Sequence, residues 1–362
     1  MPNTHRRLGF DTTGGARSQV RSFVRGARLA PVLLLTVVLA LPACGGDAGN
    51  DATGSVSGQD ADAFPVTMRH KLGSAKIAQA PKRIVAVGYN DADFLLALGA
   101  IPVGTRGPID YPYANRPWAR EALDGAEPQA IGSETLNFEK IAALRPDLIV
   151  GIYSGMTDRD YSKLSRIAPT VAQSDRYVDF GMPWQAQLEL TGRAIGREDR
   201  ARDLVAQVEQ RFAAARREHP EFDGTSAVLA SRGSGRGYFA FTGSDLRMNF
   251  FTSLGFKVPA QIDRLAGKRF YAELSPERVK LLDQDVLIMF GDRRQVERDP
   301  VFRRLDAVRE GRVVYVPTGR PDLYGALNYN SPLSLPFQLD GFVPRLAAAV
   351  DGKRATAVAP IR

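Results

Sequence analysis

Between positions 197 and 219 the chain reads REDRARDLVAQVEQRFAAARREH, with apolar residues at Ala201, Leu204, Val205, Val208, Phe212 and Ala215. That i, i+3, i+4 spacing predicts one long helix with a single apolar face. Gly196 precedes it, Glu198 and Asp199 fall in its first turn, and Pro220 follows it. These are start and stop signals that suit the helix dipole. Alone, the pattern specifies only an amphipathic core helix. Its flanks add more, because they resemble each other. Leu98-Gly99-Ala100-Ile101-Pro102-Val103 lies before it and Leu254-Gly255-Phe256-Lys257-Val258-Pro259 after it. LNFEKIAALRPDLIV (136–150) and LSPERVKLLDQDVLI (274–288) align without a gap, so that Glu139 meets Glu277, Ile141 meets Val279, Leu144 meets Leu282 and Asp147 meets Asp285. Each copy reads as a short helix running into a buried strand. The chain reads as two similar lobes joined by one long helix.

The remaining pattern supports that division. Positions 66–77 predict a hairpin turning at Leu72-Gly73-Ser74, and RIVAVG (83–88) a buried strand. Asn90 is placed to cap a helix over 91–98. A short strand closes at Val103-Gly104, and further strands are expected at 148–152 and 170–172, with helices at 158–167 and 184–195. The second half predicts strands at 227–230, 238–242, 286–290 and 313–316, and helices at 246–254, 276–282 and 334–350, the last kinked at Pro344. Alternating strands and helices predict an α/β fold of two mostly parallel sheets covered by helices, with ligands beyond the carboxyl ends of the strands. The expected divisions are a targeting signal over 1–43, a Gly/Asp/Ala/Ser-rich tether over 44–63, an N-terminal lobe over 64–196, the linking helix over 197–219 and a C-terminal lobe over 220–362.

Composition changes this picture in one place. The net charge of the 362-residue chain is +8, but residues 1–43 hold six arginines and one acid, so +5 belongs to them. The remaining +3 argues against a nucleic-acid footprint. The arginine-rich start leads into LAPVLLLTVVLALPA, which is too short for a membrane span. It stops at Leu41-Pro42-Ala43-Cys44, the single cysteine of the chain. This resembles a bacterial lipoprotein cleavage box, with Pro42 where a small or β-branched residue is usual. The resemblance implies a lipidated Cys44 and a protein anchored on the extracytoplasmic face of the cell membrane; the alternative is a free thiol. Arg6-Arg7 lies more than twenty residues ahead of the apolar run, and the export route stays open between the general and twin-arginine pathways.

Candidate binding residues recur where strands end. A small residue and then Arg or Tyr occurs at Gly88-Tyr89, Gly104-Thr105-Arg106, Gly151-Ile152-Tyr153, Ala230-Ser231-Arg232 (then Tyr238), Gly291 (then Arg293 and Arg294) and Gly319-Arg320 (then Tyr324). Guanidinium forks and flat phenol rings suit a large, flat, oxygen-rich ligand; the alternative is that each is a solvated loop side chain. Catalytic signals are poor. The histidines are His5, His70 and His219, and no zinc-helix, nucleophile-elbow, phosphate-loop or paired-cysteine spacing occurs. No metal site or cofactor is expected.

PKRIVAVG, LGAIPVGT, LNFEKIAALRPDLIVG and SPLSLPFQLDGFVPRL, together with the cleavage box and tether, resemble one family from about residue 65 to 349. It is the helical-backbone (class III) periplasmic binding proteins of ABC importers for iron-siderophores, haem and cobalamin. SPLSLPFQLD looks most like the ferric-siderophore branch. The resemblance implies a ligand cleft between the lobes, little hinge motion, no catalysis and a monomer that hands a ferric siderophore to a permease. It implies that Glu139 and Glu277 dock onto permease arginines, although helix-start acids are also favoured by the dipole alone. It places Arg106, Arg232 and Arg320 foremost in the ligand site, with Tyr153, Tyr238 and Tyr324. The rival readings are a haem or cobalamin binder on the same fold and an extracytoplasmic enzyme.

Overall fold

In this computed structural model, which describes residues 61–107, 116–233, 235, 237–319, 322–351 and 358–361, two five-stranded sheets follow one another along the chain. An antiparallel hairpin comes first, β1 (Val66–His70) with β2 (Gly73–Ile77). Its register pairs His70 with Gly73, so the turn is Lys71-Leu72, a residue earlier than the glycine suggested. The first sheet holds β3 (Ile84–Ala86), β4 (Gly104–Thr105), β5 (Gln129–Ala130), β6 (Leu148–Gly151) and β7 (Thr170–Ala172) in the order β5-β4-β3-β6-β7, parallel throughout. The second holds β8 (Ala227–Arg232), β9 (Tyr238–Phe241), β10 (Tyr271–Leu274), β11 (Val286–Phe290) and β12 (Val313–Val316) in the order β10-β9-β8-β11-β12. Here β8, β11 and β12 are parallel, while β9 is antiparallel to both β8 and β10. The connection from β8 to β9 spans only 233–237, which can make a hairpin but not the crossover that a parallel neighbour needs.

Both copies of the repeated sequence fold as expected up to the helix type. The first is an α-helix, Phe138–Ala143, leading into β6; the second is a 3-10 helix, Pro276–Leu282, leading into β11. Alternation along the strands then sets three cores. In the first sheet Ile84, Ala86, Leu148 and Val150 face one side and Val85, Val87 and Ile149 the other. In the second, Leu229, Val286 and Ile288 face one side and Val228, Leu287 and Met289 the other. The inner faces of both sheets belong to one continuous apolar cluster, whereas each outer face has its own.

The linking helix, Glu198–Glu218, lies in that shared core. Ala201, Val208, Phe212 and Ala215 are buried, with Leu204 and Val205 packed beside them. Helix Trp184–Ala194 approaches it at Gly192, where an added Cβ would stand 2.8 Å from the Ala201 methyl. From the other lobe, Phe212 meets Phe250 edge-on at 5.6 Å, and Phe250 meets Phe342 of the last helix, Ser334–Val350, at 5.5 Å. That last helix runs unbroken through Pro344. No helix among the described residues is long and apolar enough to cross a membrane.

Candidate functional site

The carboxyl ends of the strands carry the groups that meet between the lobes. Asp91, the first residue of helix Asp91–Ala97, accepts hydrogen bonds from the main-chain N–H groups of Gly88 (3.0 Å), Ile152 (2.9 Å) and Tyr153 (3.1 Å). It thereby ties the ends of β3 and β6 together. Burial pushes its carboxyl up to about 6, against those three N–H groups and Arg106, which pull it down. Asn90, the expected helix cap, makes no capping bond. Its amide instead crosses to the other lobe and donates to the Asn330 carbonyl at 2.9 Å.

Arg106 is buried, and all its N–H donors go to the protein. Nε donates to the Ser133 carbonyl (2.5 Å), Nη2 to the Glu134 carbonyl (2.7 Å) and the Tyr89 hydroxyl (2.6 Å), and Nη1 to the carbonyls of Ser154 (3.2 Å) and, at the outer limit, Val87 (3.5 Å). The guanidinium also stacks 3.8 Å from the Tyr89 ring centroid. The strand-end position is as read from the sequence, but its fork is spent on carbonyls rather than offered to a ligand.

A second buried arginine, Arg116, pairs with Asp93 at 2.9 Å, both side chains fully buried, and donates to the Tyr89 carbonyl at 3.0 Å. The Trp118 indole (2.8 Å) and the Ser331 hydroxyl of the second lobe (3.1 Å) donate to the same Asp93. Tyr329 places its ring 5.0 Å from the Arg116 guanidinium and 6.1 Å from Tyr89.

A third guanidinium among the described residues between the lobes belongs to a residue that strand-end reading passes over. Arg247, in the first turn of helix Leu246–Ser253, makes a two-bond fork with Asp245, Nε to Oδ1 at 2.8 Å and Nη2 to Oδ2 at 2.7 Å. Nη1 reaches Asn328 Oδ1 at 3.3 Å, which leaves two N–H groups without a partner among the described residues. The guanidinium lies 3.9 Å from the Phe241 ring centroid, and its side chain is 15% exposed. Burial works against its charge, but Asp245 more than offsets this, with Tyr153 and Tyr324 adding to it, so its pKa stands above the ordinary arginine value.

Tyr153 of the first lobe is therefore brought to Arg247 of the second. Its ring packs edge-on against Phe180 at 5.1 Å, and Phe180 against Phe270 at 6.0 Å, an aromatic bridge from lobe to lobe. Burial raises the Tyr153 phenol, with Arg247 pulling the other way, so the hydroxyl keeps its proton. Tyr324 packs edge-on to Phe290 at 5.3 Å.

Arg232 and Tyr238 are brought together elsewhere. The Tyr238 hydroxyl donates to Asp299 at 2.7 Å, its ring stacks on Phe302 at 5.8 Å, and it is buried in the outer core of the second lobe. This corrects the sequence reading: Tyr238 alternates with Ala240 toward that core, away from the cleft. Arg232 is half-buried, 4.0 Å from Asp299. Glu139 and Glu277 are both exposed, each the second residue of its helix. Arg320 and Cys44 lie outside the described residues.

Comparison with known proteins bears on this arrangement. Residues 84–318 match the family model described as periplasmic binding protein. The chain is similar to the probable siderophore-binding lipoprotein YfiY of Bacillus subtilis, 27% identical over 267 residues, which cover 71% of this chain and 77% of that protein. It is 26% identical over 325 residues to the iron(3+)-hydroxamate-binding protein FhuD of the same organism, covering 86% of this chain and 95% of that one. Among solved structures, PiaA of Streptococcus pneumoniae in complex with ferrichrome superposes with a TM-score of 0.71 at 26% identity, over 80% of this chain and 99% of PiaA. A periplasmic solute binding protein of Mycobacterium smegmatis gives a TM-score of 0.69 at 33% identity, over 79% of this chain and 98% of that one.

Proposed function

Because the matched model spans most of the chain, this protein belongs to the periplasmic binding protein family, and from that premise we propose that it is an extracytoplasmic lipoprotein that binds a ferric siderophore between its lobes and delivers it to the permease of an ABC importer. The observation that carries the reading is Arg247. A fork fixed by Asp245 presents two N–H donors that have no partner among the described residues, beside Tyr153 and Tyr324, with ring faces from both lobes around it. Donors set among aromatic faces suit a bulky chelate with oxygens on its surface. The siderophore-binding YfiY, the iron(3+)-hydroxamate-binding FhuD and the ferrichrome complex of PiaA support the same class.

The proposed ligand set is Arg247, Tyr153 and Tyr324, with Arg232 at the rim and Arg320 on the sequence pattern alone. Arg106 supports the site by fastening Tyr89. Cys44 is the proposed lipid attachment, residues 1–43 the signal and 44–63 the tether, with lobes over 64–196 and 220–362 joined through 197–219. Glu139 and Glu277 are the proposed permease contacts of a monomer, and the role is binding without turnover. The test is titration of the purified mature chain with ferric siderophores, followed by quenching of Trp118 and Trp184. Saturable quenching with the ligand recovered unchanged is expected. No saturation with any ferric siderophore overturns the reading.

A further inference from the structure

Two of the arginines described around the cleft are held by a buried aspartate of their own lobe, and a third by main-chain carbonyls. Arg116 and Asp93 pair at 2.9 Å, fully buried. Arg247 and Asp245 form the two-bond fork at 2.7 and 2.8 Å, with Asp245 fully buried. Arg106 is buried and its donors are taken up by the carbonyls of Ser133, Glu134 and Ser154 and by the Tyr89 hydroxyl. Arg232, the half-buried member, lies 4.0 Å from Asp299. Among the described residues the guanidiniums of Arg116 and Arg247 are thus answered by carboxylates, and that of Arg106 by carbonyls.

We infer that this cleft selects ferric chelates of zero net charge, the trihydroxamates, over the trianionic tricatecholates. The inference rests on the siderophore reading above. Three hydroxamate monoanions cancel the charge of a ferric ion, whereas three catecholate dianions leave −3. Burying that charge needs cations that are free to answer it, because the loss of hydration is not otherwise offset. Among the described residues such cations are absent from the cleft. The fields of Arg116 and Arg247 are each cancelled by a buried carboxylate at 2.9 and 2.7 Å, which water and salt screen little.

What the cleft offers is donation without net charge. The two free N–H groups of Arg247 can meet neutral-chelate oxygens, while Asp245 already balances the guanidinium. Half-buried aromatic rings at Phe180 and Phe270 receive the apolar ligand backbone. An excess of positive charge would have served the catecholate better and would have left unpaired cations beneath a neutral trihydroxamate, so the paired aspartates set the preference.

The test compares ferrichrome with ferric enterobactin in quenching titrations of the full mature protein, each at low and high ionic strength. Ferrichrome should bind about a hundredfold more tightly, with an affinity that barely changes with salt. Asp245→Asn, which leaves Arg247 uncompensated, should narrow the gap about tenfold by strengthening the catecholate. Should that variant fail to fold, the salt series on the unaltered protein decides. Enterobactin binding within about tenfold of ferrichrome, or a steeply salt-dependent ferrichrome affinity, overturns the inference and leaves the siderophore reading standing. If no ferric siderophore of any charge class binds, the proposed function itself is overturned.

Discussion

Asn90 Nδ2 donates to the main-chain carbonyl of Asn330 at 2.9 Å, which fastens the end of β3 in the first lobe to the loop before the last helix of the second. Asn330 is held in turn: its own amide reaches the Leu246 carbonyl at 2.7 Å, and Gln338 donates to its Oδ1 at 2.8 Å. All three side chains are fully buried. One residue on, Ser331 bonds Asp93, which carries the Arg116 pair. Replacing Asn90 with Leu strands the Asn330 carbonyl away from water, and an unsatisfied buried group costs about 1–3 kcal/mol. Urea unfolding should show that loss. A variant as stable as the parent would mean that the lobes are not held together here.

Such cross-lobe bonds explain what the sequence conceals. The linking helix is legible because its apolar stripe repeats over six turns and nothing competes with it. The repeat is legible because Ile141 and Val279 fill equivalent buried positions. Arg106 is legible as a strand-end arginine but not as a saturated one, since its carbonyl partners come from three separate stretches of chain. Tyr238 shares one face of its strand with Ala240 while Phe239 and Phe241 take the other, and with both faces of the sheet covered nothing in that pattern tells which one turns from the cleft. Arg247 gives little signal, standing at a helix start between Leu246 and Met248 rather than behind a strand-ending glycine.

Arg106 and Arg247 should therefore respond differently to substitution. Arg106→Ala removes a buried guanidinium from its carbonyl partners, and a loss of about 3–5 kcal/mol of stability is expected, as for breaking a buried charged network. Arg247→Lys keeps the charge beside Asp245 but loses the fork. It should fold, and should bind ferrichrome about ten- to hundredfold more weakly, as the loss of a charge-assisted bond implies. Denaturation and quenching titrations on both variants separate the roles. A stable Arg106→Ala protein with weakened binding would return Arg106 to the ligand set.

Asp91 gives a pH dependence of unusual sign. Its carboxyl is raised from 3.8 to about 6 in the fold, so the native state holds the proton more tightly than the unfolded chain. Between those values the native state binds more protons, and this group's contribution to stability falls as pH rises. The contribution is complete below pH 3.8 and lost above about 6. At neutral pH the buried charge costs about 3 kcal/mol relative to its protonated form. Asp91→Asn does not titrate, though it leaves one of the three N–H groups badly paired. The stability gap between parent and variant should therefore shrink by about 2–3 kcal/mol from pH 4 to pH 7. A gap that stays constant across that range would place the Asp91 carboxyl at its ordinary value.

The last expectation concerns Glu139 and Glu277, the second residues of the two repeated helices. Asn137 already caps the first helix, accepting the Lys140 N–H at 2.9 Å, so that end does not need the Glu139 carboxylate. Beside it a surface groove of about 590 Å³ runs from Gly132 to Lys140, with room for a long partner side chain. The Glu277 carboxylate is held below its usual range, first by the Ser275 hydroxyl, which keeps it charged in mildly acidic surroundings. Ile141 and Val279 take the buried side of their helices, so neither glutamate is used by the core. An exposed carboxylate on each lobe lets one partner grip both lobes, fixing register and speeding association. Glu139→Gln combined with Glu277→Gln should thus leave ferric-siderophore affinity within about twofold of the parent, yet cut importer-dependent uptake of the labelled chelate by about tenfold or more. Transport at the parental rate would remove both residues from the permease contact, and weakened ligand binding would place them in the support of the cleft instead.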